Sequence, residues 1–155
     1  MIKYEIPGMG EIEISNLCLD YNGTIAYEGK LIEGVSEKIL ALKSDLDIYV
    51  LTADTYGTTK KECEKLGINI VTFDRENASE CKERIVKELK GNTVSFGNGL
   101  NDIQMFDNSK LSIAIIGSEG AYSGLLAHST MVVSNILDAF NLLLDKKKIK
   151  ATLRN

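Results

Sequence analysis

From residue 17 onward, short continuous apolar runs alternate with stretches in which apolar residues recur every three or four positions. That rhythm predicts strands and helices in turn. Before it, Ile2 to Ile14 carries two segments of alternating polarity around Pro7-Gly8-Met9-Gly10, which predicts a β-hairpin. The pattern then predicts strands at 17–19, 48–51, 68–72, 93–96, 111–116 and 131–133. Helices are predicted at 34–43, 58–66 (stopped by Gly67), 78–89, 101–106, 121–127 and 135–144. Unbroken β-branched runs between helices imply parallel strands buried on both faces. The predicted fold is α/β: a doubly wound, Rossmann-like, mainly parallel sheet with helices on both faces, an N-terminal β-hairpin and no cap domain.

Composition narrows this without redirecting it. The chain has 155 residues, 44% of them hydrophobic and 26% charged, which suits one domain with a single sizeable core. Residues 1–15 are expected as the hairpin, 16–145 as the core and 146–155 as a basic C-terminal tail. A net charge of −4 without a basic half argues against nucleic acid as a partner. The Lys146-Lys147-Lys148 run suits a solvated helix terminus. No segment has the length of a bilayer span or the form of a leader, so no membrane role is expected. Cys18, Cys63 and Cys81 show no metal-ligand spacing and read as reduced thiols of a cytoplasmic protein. His128, the lone histidine, reads as a surface or capping residue.

The candidate chemistry begins where Leu17-Cys18-Leu19 runs into Asp20-Tyr21-Asn22-Gly23-Thr24. A buried strand ending on aspartate before a sharp turn leaves a carboxylate at the carboxyl edge of the sheet, where open α/β folds bind ligands. Such an aspartate can attack a phosphoryl group and carry it as an aspartyl phosphate. Later, a strand ends on Thr52, and another ends in Gly97-Asn98-Gly99-Leu100-Asn101-Asp102.

In this order the segments resemble motifs of the haloacid dehalogenase (HAD) superfamily, and from Asn16 onward the chain resembles its soluble P-type-ATPase-like group. The resemblance implies a Mg²⁺-dependent phosphatase with Asp20 as nucleophile. Tyr21, Asn22, Thr52, Ala53 and Lys82 would then surround the phosphoryl group, with Asp20, Asn22 (through its main-chain carbonyl), Asn98 and Asp102 around the metal. Tyr21 would point towards incoming substrate. Lys82 fits the family's lysine better than Lys87, because it lies nearer the start of its helix. Asp54, just beyond Thr52, suits a helix cap better than a ligand.

Two acidic positions of the family pattern are amides here. Asn22 stands where a second aspartate usually serves as general acid and base, and an amide exchanges no proton near neutral pH. Asn98 stands where a carboxylate usually holds Mg²⁺, which lowers the expected metal affinity. Slow turnover is therefore expected, and a phosphate-binding or phospho-acceptor protein is the alternative. The intervals around Thr52 are too short for a cap domain: a flap from Tyr21 to about Ile32 and a helix fill the first, and one helix-strand-helix passage fills the second. The expected partner is a phosphorylated substrate, small molecule or macromolecule; an open site suits a macromolecule, or cover from a second copy of the chain in a homo-oligomer.

Overall fold

The computed structural model describes residues 1–54 and 57–155. Its centre is a parallel sheet of six strands: β3 (Asn16–Asp20), β6 (Asp47–Thr52), β7 (Asn69–Thr72), β8 (Thr93–Gly97), β9 (Leu111–Ile115) and β10 (Met131–Val133). Their spatial order is β10-β9-β8-β3-β6-β7. The chain leaves β3 towards β6 and β7, then returns to the other side of β3 with β8. Strand order thus reverses beside β3, and a crevice opens at the carboxyl ends of β3, β6 and β8.

Strand periodicity decides what faces that crevice. Leu17 and Leu19 point into one hydrophobic core with Val50, Ile113 and Ile115. Cys18, Leu51 and Ala114 point into a second core on the opposite face. Asp20 follows Leu19, so its side chain emerges on the Cys18 face. The helices α3 (Ala78–Glu88) and α4 (Ile103–Asp107) pack against each other there, supplying Val86, Met105 and Phe106. On the other face α1 (Val35–Leu42) packs against α5 (Ile136–Leu144). A short helix, α2 (Thr58–Cys63), lies beside β7.

The N-terminal hairpin, β1 (Ile2–Ile6) and β2 (Gly10–Ile14), has its turn where Pro7 and the glycines predict it. Ile2, Tyr4, Ile6, Ile12 and Ile14 are all buried in the first core, so the hairpin is internal packing of the domain. Residues 146–155, expected as a tail, include a further helix, α6 (Lys146–Leu153). It packs on β1 and buries Ile149, while Asp145 accepts the Lys147 N–H at its start. A second small hairpin, β4 (Ala26–Tyr27) and β5 (Lys30–Leu31), forms the flap after the nucleophile position.

The stretch predicted as a helix at 121–127 is instead a 3₁₀ segment, Ser123–His128. Ser123 and Gly124 are weak helix formers, and the Tyr122 ring lies so close that a Cβ on Gly124 would meet it at 2.4 Å. The helix predicted at 58–66 tightens into a 3₁₀ turn at Glu64–Leu66 and stops at Gly67, which is left-handed at φ 62°. Among the described residues no cap domain interrupts the sheet. Among the described residues no helix is long and apolar enough to cross a membrane.

Tyr4 joins the hairpin to the main core through a buried hydroxyl that donates to the Leu143 carbonyl at 3.2 Å. Tyr4→Phe is expected to lower stability by about 1 kcal/mol, the net worth of one such bond together with its orphaned acceptor. Urea unfolding should register that loss as a lower midpoint at unchanged slope.

Candidate active site

The site is assembled around one buried ammonium. Lys82 lies in line with Ala78 and Val86 on the inward stripe of α3, with its side chain only 1% exposed. Its Nζ donates to Asp20 Oδ1 at 2.7 Å, to Asp102 Oδ1 at 2.6 Å and to Asn101 Oδ1 at 3.3 Å. All three ammonium protons are therefore accounted for. Burial lowers its pKa, but the two carboxylates, Asp20 first, outweigh that and raise it above the usual lysine range. The ammonium stays charged throughout the neutral range. Lys87, the other candidate, is on the surface and pairs with Glu83.

Asp102 is fully buried and has three donors. Besides Lys82, the Asn98 and Gly99 N–H groups donate to its Oδ2 at 3.0 and 2.9 Å. It thus ties the Gly97–Gly99 turn to the lysine. A Cβ on Gly97 would meet the Asp102 carboxyl at 2.5 Å, so the turn can close this tightly only over glycine. Burial, and then the Asp20 charge, push the Asp102 carboxyl up to about 6 against the pull of Lys82 and the Gly99 N–H. Two carboxylates share one ammonium, and burial opposes ionisation of Asp102.

Asp20 keeps its second oxygen for the opposite side. Thr24 Oγ1 lies 3.0 Å from Asp20 Oδ2 and 3.2 Å from Asn98 Oδ1. The Asn98 amide is oriented by its other end, since Nδ2 donates to the Gly120 carbonyl at 3.0 Å. One face of Asp20 therefore belongs to the lysine, while on the other its oxygen converges with the Asn98 oxygen. Among the described residues no group of three or more His, Cys, Asp or Glu side chains could hold a metal. The donors beside Asp20 are two oxygens, one anionic and one amide, with no nitrogen or sulfur. Such a set fits a hard cation like Mg²⁺.

The remaining expected residues sit around the same edge. Thr52 ends β6, one position beyond the partner of Asp20 in the sheet register, and is buried. Asn22 and Ala53 line a cavity of about 480 Å³ with Tyr21, Asp54, Arg75 and Asn101. Tyr21 does not aim its side chain at incoming substrate. It is 1% exposed and its hydroxyl donates to the Gly29 carbonyl at 2.9 Å, fastening the flap. Its own carbonyl accepts the N–H groups of Thr24, Ile25 and Ala26. Asp54 accepts the Thr59 N–H at 2.7 Å near the start of α2, in keeping with a capping role. His128 is on the surface, with Nδ1 2.7 Å from Asp107 Oδ1.

Sequence reasoning missed Thr24, Asn101 and Arg75. Thr24 and Asn101 lie inside the two motifs and could have been found there. Arg75 carries no motif signal, since only the fold brings it to the cavity.

Solved structures share this arrangement of strands and helices. Magnesium-, phosphate- and KDO-bound 3-deoxy-D-manno-octulosonate 8-phosphate phosphatase from Moraxella catarrhalis matches with a TM-score of 0.71 and 14% identity, over 90% of each chain. The cobalt-bound deoxy-D-mannose-octulosonate 8-phosphate phosphatase of Haemophilus influenzae matches with a TM-score of 0.70 and 15% identity, over 92% of this chain and 94% of that one. The fold is thus that of the HAD hydrolases.

No family model matches the chain. Two proteins of Methanocaldococcus jannaschii, both bearing the name "uncharacterized protein", do match. MJ0073 is 40% identical over 79 residues, 48% of this chain and 85% of that protein. MJ0072 is 54% identical over 39 residues, 25% of this chain and 89% of that protein. The chain belongs to one family with these archaeal proteins.

Removing the ammonium tests the electrostatics. Lys82→Met should cost about 3–5 kcal/mol near neutral pH, because two carboxylates are left facing each other in a buried place. The pH dependence has a definite sign. Asp102 has a folded pKa above its unfolded one, so the folded state holds a proton that the unfolded state releases between about pH 4 and pH 6. In that window the group makes stability fall as pH rises. Without Lys82 the shift grows, so the variant's deficit should be larger at about pH 8 than at about pH 5. Lys82 has a raised pKa, so its own contribution is complete below the ordinary lysine value and is lost only as pH climbs through its folded pKa. Denaturant titrations at several pH values would measure both trends.

Proposed function

We propose that the chain is a Mg²⁺-dependent phosphatase working through an aspartyl phosphate on Asp20. The observation that carries this reading is the two-sided hold on Asp20, with Lys82 on one oxygen and Thr24 at the other, where the Asn98 oxygen also meets the Thr24 hydroxyl and a cavity lies alongside. A carboxylate so restrained, yet 13% exposed, is positioned as a nucleophile and neutralised against an anionic substrate. The likeness to phosphatases holding magnesium, cobalt or phosphate supports the same chemistry.

In this reading Asp20 attacks phosphorus, and the bond to the leaving oxygen breaks with its electron pair. Water then attacks the phosphoaspartate, freeing phosphate and restoring the carboxylate. Lys82 remains protonated and offsets the charge that builds up, and Thr52 donates to a phosphoryl oxygen. Asp20, Asn98 and the Asn22 carbonyl would hold Mg²⁺, with Asp102 behind them. The ion would supply a positive centre that draws the phosphoryl oxygens in and lowers their repulsion of Asp20. Asn22 can orient a leaving group but cannot protonate it, which lowers turnover by about 10²–10⁴-fold. The cavity of about 480 Å³ suits a small phosphate ester or acyl phosphate.

The two asparagines favour a second reading, a phospho-acceptor or phosphate-binding protein that releases phosphate too slowly to serve as an enzyme. Phosphate release from phosphomonoesters and acyl phosphates, with and without Mg²⁺, separates the two. The enzyme reading expects release that is abolished in Asp20→Asn and strongest for good leaving groups. It also expects Asn22→Asp to accelerate release from poor leaving groups by at least about tenfold. Labelling of Asp20 by acetyl phosphate without turnover would favour the acceptor reading.

A further inference from the structure

Glu119 has no part in the chemistry described so far. It is an exposed residue in the turn that follows β9, where Gly120 N–H donates back to the Gly117 carbonyl. That turn closes over the flap at Gly23. A Cβ placed on Gly23 would meet Asn98 Nδ2 and Glu119 Oε2, each at 2.5 Å. Gly23 has a φ of 79° and no side chain, and the Glu119 carboxylate uses that space to stand beside the Asn98 amide. Among the described residues no cation pairs with Glu119.

The Asn98 amide therefore has two different neighbourhoods. Its oxygen faces Thr24 and the free side of Asp20. Its nitrogen donates to the Gly120 carbonyl and borders, over Gly23, the same space that the Glu119 carboxylate borders. A negative charge beside the NH₂ end polarises the amide and makes its oxygen a better ligand. An aspartate at 98 would put an anionic oxygen against the Gly120 carbonyl and next to Glu119, where neither could donate a hydrogen bond to it.

We propose that Glu119 belongs to the cation site, supplying across the Asn98 amide the negative charge that Asn98 itself withholds. On this account Glu119 and the Gly120 carbonyl are what make asparagine the fitting residue at 98. The proposal rests on the assignment of Asp20 and Asn98 as cation ligands. It adds that the site's missing carboxylate has moved one side chain outward, into the 117–120 turn. A charge placed there still acts on the ion, since screening in ordinary buffer takes about 8–10 Å to develop.

The test is a titration of the full chain with Mn²⁺, a hard oxygen-seeking stand-in for Mg²⁺, read by water-proton relaxation rather than by activity. Glu119→Gln should weaken binding by about three- to tenfold at low salt and by much less near ~1 M salt. Glu11→Gln, on the solvent face of the N-terminal hairpin, should bind as the wild type does. Asn98→Asp should gain no affinity while Glu119 is present. The double variant Asn98→Asp/Glu119→Gln should bind more tightly than Glu119→Gln alone, by about tenfold. Thermal melting verifies that each variant is folded. Unchanged affinity in Glu119→Gln, together with a gain in Asn98→Asp alone, would reduce Glu119 to an ordinary surface carboxylate. A wild-type chain that binds no Mn²⁺ would remove the cation site and this proposal with it; phosphate release that needs Asp20 but no metal would then leave only the aspartyl-phosphate part of the phosphatase reading standing.

Discussion

The buried ammonium of Lys82 is the constraint around which the rest of the site is arranged. An isolated charge so deep in the protein is highly unfavourable, and two carboxylates brought together there are unfavourable as well. Each removes the difficulty of the other. The lysine can occupy the inward stripe of α3 because Asp20 and Asp102 receive it. The two acids can converge because it lies between them. Asp20 comes from the end of β3, Lys82 from α3 and Asp102 from the turn before α4, so the triad also fixes how two helices meet the sheet.

Strand periodicity explains why this happens on one face. Leu19 belongs to the core beneath α1 and α5, and the next residue has to point to the other side. Asp20 therefore emerges towards α3 and α4 and nowhere else. A one-residue change of register in β3 would send the carboxylate to the face that has no lysine.

Much of this was legible in the chain. The strand-and-helix rhythm yields the sheet, and the glycine and proline punctuation yields the hairpin. Lys82 also betrays itself: it occupies the position between Ala78 and Val86 where the helix pattern calls for an apolar residue. The rest depended on long-range placement. Tyr21 follows the nucleophile, which suggests a substrate contact, yet its hydroxyl is taken up by Gly29. Ser123–His128 has apolar spacing for an α-helix but winds as 3₁₀, starting on two weak helix formers, Ser123 and Gly124. Arg75 and Glu119 stand in segments with no motif, and only the closed fold brings Arg75 to the cavity and Glu119 to the space over Gly23 that Asn98 also borders.

Tyr21 has a consequence of its own. Its carbonyl gathers three flap N–H groups and its hydroxyl holds the flap's far turn, while its peptide bond is shared with Asp20. The flap and the Asp20 carboxylate are therefore joined by a single stiff link. Any strain on the flap is passed straight to the peptide bond that carries Asp20, with no slack segment between them to absorb it.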